Sequence, residues 1–357
     1  MNPVRERSTP PRTAPRLEQR TIAAGRLSLT RLGLGAAPLG NLYRAISDEQ
    51  ARRTVEAAFA AGMRYVDTAP YYGFGLSEQR VGDAVRAQRS RWQVSTKVGR
   101  LLRPHAGEAN ESVRDGFAEP LPFEAYFDYS YAGILRSFEE SLHRLGLARV
   151  DLLLVHDIGA ATHGAQHAAT YAQLTQGGGF RALEELRASG VIGGFGLGVN
   201  EYPVALKALE DACLDVVLLA GRYTLLDQSA LAEFLPACER EGVAVIAAGV
   251  FNSGVLATGS ASAGTAYYNY VRAPPEIISR VAALEAVCAT HGVALKAAAV
   301  QFVLAHPAIV SVVTGCASPE EVSAALAAYR SNVPPAFWQE LKERGLLPGA
   351  APVPAIA

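Results

Sequence analysis

From Leu32 onward, short β-branched apolar runs alternate with amphipathic stretches built from Ala, Leu, Glu and Arg, and that alternation restricts the fold more than any other feature of the chain. The runs Arg31–Leu34, Met63–Asp67, Trp92–Lys97, Val150–His156, Ile192–Gly198, Asp215–Leu219, Ala244–Ala248 and Val310–Thr314 read as eight strands. Helix-like stretches follow them, among them Asp48–Ala61, Ser77–Arg86, Tyr131–Leu145, Phe180–Ser189 and Ser318–Tyr329. Several open on a Ser or Asp that can cap the first free N–H groups. Eight consecutive βα units predict an α/β fold, a single closed (β/α)8 barrel. The competing fold, an open doubly wound sheet, needs a G-x-G-x-x-G directly after a strand. The nearest glycine pair, Gly33-Leu34-Gly35, has Pro38 where the third glycine belongs.

A chain of 357 residues can hold one barrel or two smaller domains, so the order of segments decides. The expected layout is a disordered tail over 1–20, rich in Arg, Pro, Ser and Thr, one barrel over 21–347, and a flexible tail over 348–357. Thr21–Ala23 and Leu27–Leu29, on either side of Ala24-Gly25-Arg26, read as a short hairpin able to cap the N-terminal mouth. Insertions at Gly99–Asp128, Ile158–Gly179 and Val250–Pro274 follow the third, fourth and seventh strands. That is the face on which barrel enzymes carry their active sites, so these loops are expected to shape a substrate pocket.

The 33 basic and 34 acidic side chains leave a net charge of −1, spread along the chain without the one-sign field that nucleic acid or an anionic membrane calls for. A small-molecule partner is expected. Cys213, Cys238, Cys288 and Cys316 stand singly, without metal-ligand spacing, and read as free thiols in a reducing cytosol. No stretch approaches the roughly 18 apolar residues of a membrane span, which together with the thiols leads to a cytoplasmic expectation. Oligomeric state is not legible.

The second strand ends in Asp67-Thr68-Ala69-Pro70-Tyr71-Tyr72-Gly73, with a carboxylate at the strand tip and a phenol five residues later. The third ends in Thr96-Lys97, an ammonium where an apolar residue is expected and where a lone charge is costly. Pairing of Lys97 with Asp67 on the neighbouring strand, beside the Tyr72 hydroxyl, resolves that cost. Such a cation is expected to lower the tyrosine pKa from about 10 and make Tyr72 a usable acid or base. The fourth strand ends in Val155-His156-Asp157 and brings an imidazole to the same mouth to orient a substrate oxygen. This set requires no metal. Singly, a histidine after an apolar run is usually a core residue and a buried Asp–Lys pair can be structural. Recurrence at three successive strand ends favours a site.

These motifs closely resemble those of the aldo-keto reductases, and the resemblance runs from about Leu32 to Leu347, including Leu183–Gly190 and the segment from Ala305 to Gly315. Within that family the chain is similar to the aldose 1-dehydrogenase branch, which includes D-threo-aldose or L-fucose, L-galactose and pyridoxal dehydrogenases. Val155-His156-Asp157, the segment Leu219–Leu226, Phe251-Asn252-Ser253-Gly254 and Tyr268-Asn269-Tyr270 carry this likeness. The resemblance implies oxidation of a sugar hemiacetal to a lactone, with Tyr72 as base, His156 orienting the substrate, and Lys97 and Asp67 tuning the phenol. Tyr43 and Asp157 are the substrate-side candidates.

For the cofactor, the resemblance points to Gly35, Gly198, Asn200, Ser253, Gly254, Gly315, Ser318 and Glu321. One departure concerns Asn200: relatives read Gly-Val-Ser-Asn-Phe at the fifth strand, whereas this chain reads Gly198-Val199-Asn200-Glu201, one position displaced. Thr314–Tyr329 contains no Lys or Arg, while Glu320 and Glu321 stand in the first turn after Ser318-Pro319. A 2′-phosphate of charge about −1.5 to −2 is disfavoured beside carboxylates, so NAD is expected, with NADP as the alternative. Two other readings stay open: reduction or oxidation of a non-sugar carbonyl compound such as pyridoxal, and a non-catalytic nicotinamide-binding regulatory barrel.

Overall fold

The computed structural model describes residues 16–107, 112–262 and 266–354. Eight parallel strands close on themselves: β1 (Leu32–Gly35), β2 (Tyr65–Asp67), β3 (Gln93–Val98), β4 (Val150–His156), β5 (Ile192–Val199), β6 (Val216–Ala220), β7 (Ala244–Ala248) and β8 (Ile309–Gly315). Each pairs with its sequence neighbours, and β8 returns to β1 through Val312↔Leu32 to Gly315↔Gly35. Every expected strand forms within two residues of its expected ends.

The barrel helices are α1 (Asp48–Ala60), α2 (Leu76–Val85), α3 (Tyr131–Leu145), α4 (Gly179–Ala188), α5 (Pro203–Asp211), α6 (Phe234–Glu241), α7 (Leu295–Leu304) and α8 (Pro319–Arg330). Ser47, Ser130 and Ser318 cap α1, α3 and α8, each accepting from the N–H three residues on, an interaction worth about 1 kcal/mol. α3 shows how the pattern becomes packing: Ile134, Phe138, Ser141 and Leu145, spaced three or four apart, form its buried stripe with Ser137 beside them. Two helices outside the eight units, Pro275–His291 and Pro335–Glu343, pack on each other, with His291 Nε2 2.6 Å from Glu340 Oε2. No single described helix is long and apolar enough to cross a membrane.

The expected hairpin pairs Gln19–Ile22 with Leu27–Thr30. Ile22, Leu27 and Leu29 form one buried cluster with Tyr65, Leu152, Leu154, Val216, Leu218, Ile246 and Val313, which plugs the barrel from the end opposite the strand tips. Arg26 fixes the hairpin to the sheet by donating to Asp215 Oδ1 at 2.5 Å and to the Gly193 carbonyl at 3.0 Å. Leu17 is already buried in the main core and Gln19 opens a strand, so packed chain begins before residue 21; Met1–Pro15 lie outside the described residues. At the other end, Ala351 is buried and Val353 packs on the core, so packing continues past Leu347.

The three insertions stand at the strand-tip face. The first forms antiparallel pairs, Arg100–Pro104 with Phe123–Phe127 and Val113–Arg114 with Phe117–Ala118. The second forms the short helices Ala160–His163 and His167–Thr175. The third forms one turn of helix, Val255–Thr258, and a hairpin that pairs Tyr267–Tyr268 with Val271–Arg272.

Candidate active site

At the mouth, the Lys97 ammonium donates to Asp67 Oδ2 at 2.7 Å, to the Thr68 carbonyl at 2.9 Å and to Tyr72 Oη at 3.1 Å, which uses all three of its hydrogens. The other Asp67 oxygen accepts from Ser95 Oγ at 2.7 Å, and Ser95 in turn contacts Tyr65 Oη at 2.9 Å. Asp67, Ser95 and Lys97 are buried, and the register that pairs Asp67 with Ser95 and Lys97 with Leu154 brings their side chains together. The Lys97 stem passes over Gly198: a Cβ there would lie 3.1 Å from Lys97 Cε and 3.4 Å from Cδ. Gly198 is thus explained by the lysine it leaves room for. Gly198→Ala is expected to displace the ammonium from Tyr72 and slow turnover about tenfold with cofactor affinity retained; steady-state kinetics with an unchanged kcat would contradict this.

Tyr72 is fixed by a backbone contact. Gly40 and Gly73 press together so closely that a Cβ on Gly73 would stand 2.5 Å from the Gly40 carbonyl oxygen, and one on Gly40 would stand 2.6 Å from the Tyr72 carbonyl. The imidazole of His156 meets the Tyr72 ring edge-on, with centroids 6.0 Å apart. His156 Nδ1 is buried without a hydrogen-bond partner among the described residues, and Nε2 lies 3.6 Å from Asp157 Oδ2. The four side chains singled out from sequence therefore share one site.

The electrostatics correct one expectation. Burial raises the Tyr72 pKa above its ordinary value; Lys97 opposes the rise and Asp67 adds to it, so the net shift is upward. Burial works against the Lys97 charge, but Asp67 and Tyr72 outweigh it and hold the ammonium protonated. His156 is pushed well below its ordinary value by burial, then by the cations Arg100 and Lys97, and is a neutral imidazole near pH 7.

Asp157, expected as a substrate contact, is occupied by protein. Its Oδ2 accepts from Arg100 Nη2 at 2.7 Å and its Oδ1 from Asn200 Nδ2 at 3.1 Å. Asn200 also receives Tyr270 Oη at 3.4 Å, so its side chain is not free for the expected cofactor contact in this form. Arg222 braces the region, donating to the Asn200 carbonyl at 2.7 Å, to Asp227 at 2.8 Å and to Asn269 at 3.0 Å. Tyr43, with φ 66°, is half exposed and stacks on Tyr267 at 5.6 Å. Sequence motifs do not single out Arg100, Ser95 or Tyr65, and Arg222 and Tyr270 stand inside the segments that carry the family likeness without a role being assigned to them there.

The aldo/keto reductase family model matches residues 31–344. The chain belongs to the aldo/keto reductase family. It is 45% identical over 337 residues to pyridoxal 4-dehydrogenase of Microbacterium luteolum, covering 92% of this chain and 98% of that protein. To D-threo-aldose 1-dehydrogenase of Pseudomonas sp it is 41% identical over 330 residues, covering 91% and 97%. The holo form of an aldo-keto reductase from Bacillus halodurans matches with a TM-score of 0.71 at 25% identity, over 94% of this chain and 98% of that one. As an aldo/keto reductase the chain is a nicotinamide-dependent oxidoreductase of the branch that its motifs resemble.

The strand-tip face fits such a cofactor. Asn252 Oδ1 is buried with no hydrogen-bond partner among the described residues. Next to it, Ser253 and Gly254 take φ of 56° and 100°, and a Cβ on Gly254 would meet nothing within 4 Å. Ser253 Oγ accepts from the Tyr270 N–H at 3.0 Å. Gly35 and Gly315 adjoin across the β1–β8 seam; a Cβ on Gly35 would stand 3.3 Å from the Gly315 nitrogen. Ser318 caps α8, and Glu321 accepts from the Ala317 N–H at 2.7 Å and from Arg44 at 2.6 Å. The cleft beside this helix end, of about 310 Å³, is lined by Ser47, Glu49, Gln50, Arg53, Ser318 and Glu320 among others. Arg44 and Arg53 therefore supply basic groups that Thr314–Tyr329 lacks.

Proposed function

We propose that this aldo/keto reductase oxidises a cyclic hemiacetal at its anomeric carbon to the lactone, with NAD as cofactor and an aldose of the L-fucose, L-galactose or D-threo type as substrate. The Lys97-bound Tyr72 hydroxyl carries the reading. In the phenolate form Tyr72 Oη removes the proton of the anomeric hydroxyl, the C1–H bond breaks, and the O–H electron pair forms the C1=O bond, which turns the already closed ring into the lactone. A bound nicotinamide supplies the acceptor for the hydride, and with it the electron pair, that leaves C1. His156, neutral, donates to or accepts from the substrate oxygen and holds it beside Tyr72. Asp67 and Ser95 keep the ammonium in place.

Pyridoxal carries a hydroxymethyl group beside its aldehyde and closes the same kind of ring as an aldose. One hemiacetal-oxidising site can thus serve the substrates named in both of the relatives above. For the cofactor, Glu49 and Glu320 line the cleft at the start of α8 against the single cation Arg53 among the described lining residues, and Arg44 is already engaged by Glu321. A carboxylate accepts from a ribose 2′-hydroxyl and repels a 2′-phosphate, which favours NAD. Initial rates with L-fucose, L- and D-galactose, D-arabinose and pyridoxal, each with NAD and with NADP, test this reading. At least one hemiacetal is expected to reduce NAD, at a kcat/KM tenfold or more above that with NADP. A clear preference for NADP overturns the cofactor assignment.

A further inference from the structure

Arg100, two residues past the end of β3, places a buried cation in the substrate mouth, where a charge is costly unless it is paired. Its guanidinium lies over the Tyr71 ring at 4.3 Å and is 5.2 Å from the Phe127 ring centroid, so aromatic contacts restrict its plane. Tyr71 itself meets His156 edge-on at 6.2 Å. Along the Nε/Nη2 edge, the one that grips a carboxylate with two parallel bonds, only Nη2 is used: it donates to Asp157 Oδ2. Asp157 Oδ1 is turned to Asn200, and Arg100 Nε, on the same edge, is buried with no hydrogen-bond partner among the described residues. Asp157 Oδ2 stands 2.7 Å from Arg100 Nη2 and 3.6 Å from His156 Nε2, so the guanidinium and the imidazole flank one carboxylate oxygen.

We propose that Arg100 Nε is a specificity-determining donor that reads a second oxygen of the substrate, carried one or two carbons from the reacting carbon. Asp157 is then the anchor that holds the fork, and the substrate class is a carbonyl compound or hemiacetal with a neighbouring hydroxyl or phenolate. Aldoses and pyridoxal both meet that requirement, and simple aliphatic aldehydes do not. The inference deepens the proposed function and rests on it for the position of the reacting carbon at Tyr72 and His156.

The test compares substrate pairs in wild type, Arg100→Met and Arg100→Lys, using the full-length enzyme, with NADH affinity from fluorescence titration as the check that each variant is folded. One pair sets the best hemiacetal against its analogues deoxygenated at the neighbouring positions, with NAD. The other sets glyceraldehyde against propanal, with NADH. Wild type is expected to lose about 10- to 100-fold in kcat/KM on the deoxygenated member, the range of one hydrogen bond to a charged group. Arg100→Met should lose a similar factor on the oxygenated member and little on the other, with Arg100→Lys between. Equal losses on both members, or wild-type indifference to the oxygen in both pairs, overturns the inference. Inert hemiacetals with Arg100-dependent discrimination in the glyceraldehyde pair would instead refute the proposed function and leave Arg100 as the reader. If neither variant retains NADH affinity, competitive inhibition of wild type by the oxygenated and deoxygenated alcohols decides, and equal inhibition constants count against the proposal.

Discussion

Replacing Lys97 with methionine is expected to have two large effects at once, a turnover lower by a factor of about 10² to 10⁴ and a fold less stable by about 3 kcal/mol or more. Both follow from one geometry. Lys97 is buried and donates to Asp67, the Thr68 carbonyl and Tyr72. Methionine matches the stem but takes the charge away, leaving the buried Asp67 with Ser95 as its remaining donor. A buried carboxylate in that position must be held uncompensated or take up a proton, and either course costs stability. Thermal unfolding of Lys97→Met should therefore fall by several degrees, while kcat falls by orders of magnitude. A variant as stable as the parent would show that the pair contributes little to the fold.

The Tyr72→Phe variant is expected to separate these effects. Lys97 keeps two of its three partners, no charge is left bare, and unfolding should shift by no more than about 1 kcal/mol. Catalysis, however, loses its proton acceptor, and kcat/KM should drop about 10² to 10⁴-fold with NADH affinity retained. The parent enzyme's pH profile follows from the same groups. Oxidation needs the phenolate, and burial raises the Tyr72 pKa against the pull of Lys97, so kcat/KM for oxidation should climb with pH through neutrality and into the alkaline range. Reduction needs the phenol and should stay flat over that span. His156 lies well below its ordinary value and is neutral throughout, so neither direction should show a limb near the ordinary histidine pKa of about 6.5. Such a limb, retained in Tyr72→Phe and lost in a His156 variant, would assign the titrating group to the imidazole.

Sequence carries the barrel because βα alternation is written locally, strand by strand, and it carries Asp67, Lys97 and His156 because a charged or polar side chain at the end of an apolar run is conspicuous. Tyr72 follows from its short distance beyond Asp67. What sequence does not carry depends on distant partners or on burial. Arg100 is neutralised by Asp157, 57 residues on, and Glu321 by Arg44, 277 residues back. Ser95 and Tyr65 matter only through the register that sets Ser95 beside Asp67. The direction of the Tyr72 shift escapes sequence for a related reason: motifs reveal the Lys97 neighbour, but desolvation sums over everything packed around the ring, and it is the larger effect. Gly198 reads from its motif as a cofactor glycine, whereas its missing Cβ accommodates the Lys97 stem.

The central claim, hydride loss from the anomeric carbon with Tyr72 as the base, is tested most directly by supplying an aldose deuterated at C1 with NAD and following both products by mass. The account predicts lactone and an equal amount of NADH carrying the deuterium, formed by the parent enzyme and slowed at least about a hundredfold in Tyr72→Phe. Unlabelled NADH, a product oxidised elsewhere in the sugar, or undiminished transfer by Tyr72→Phe would contradict it.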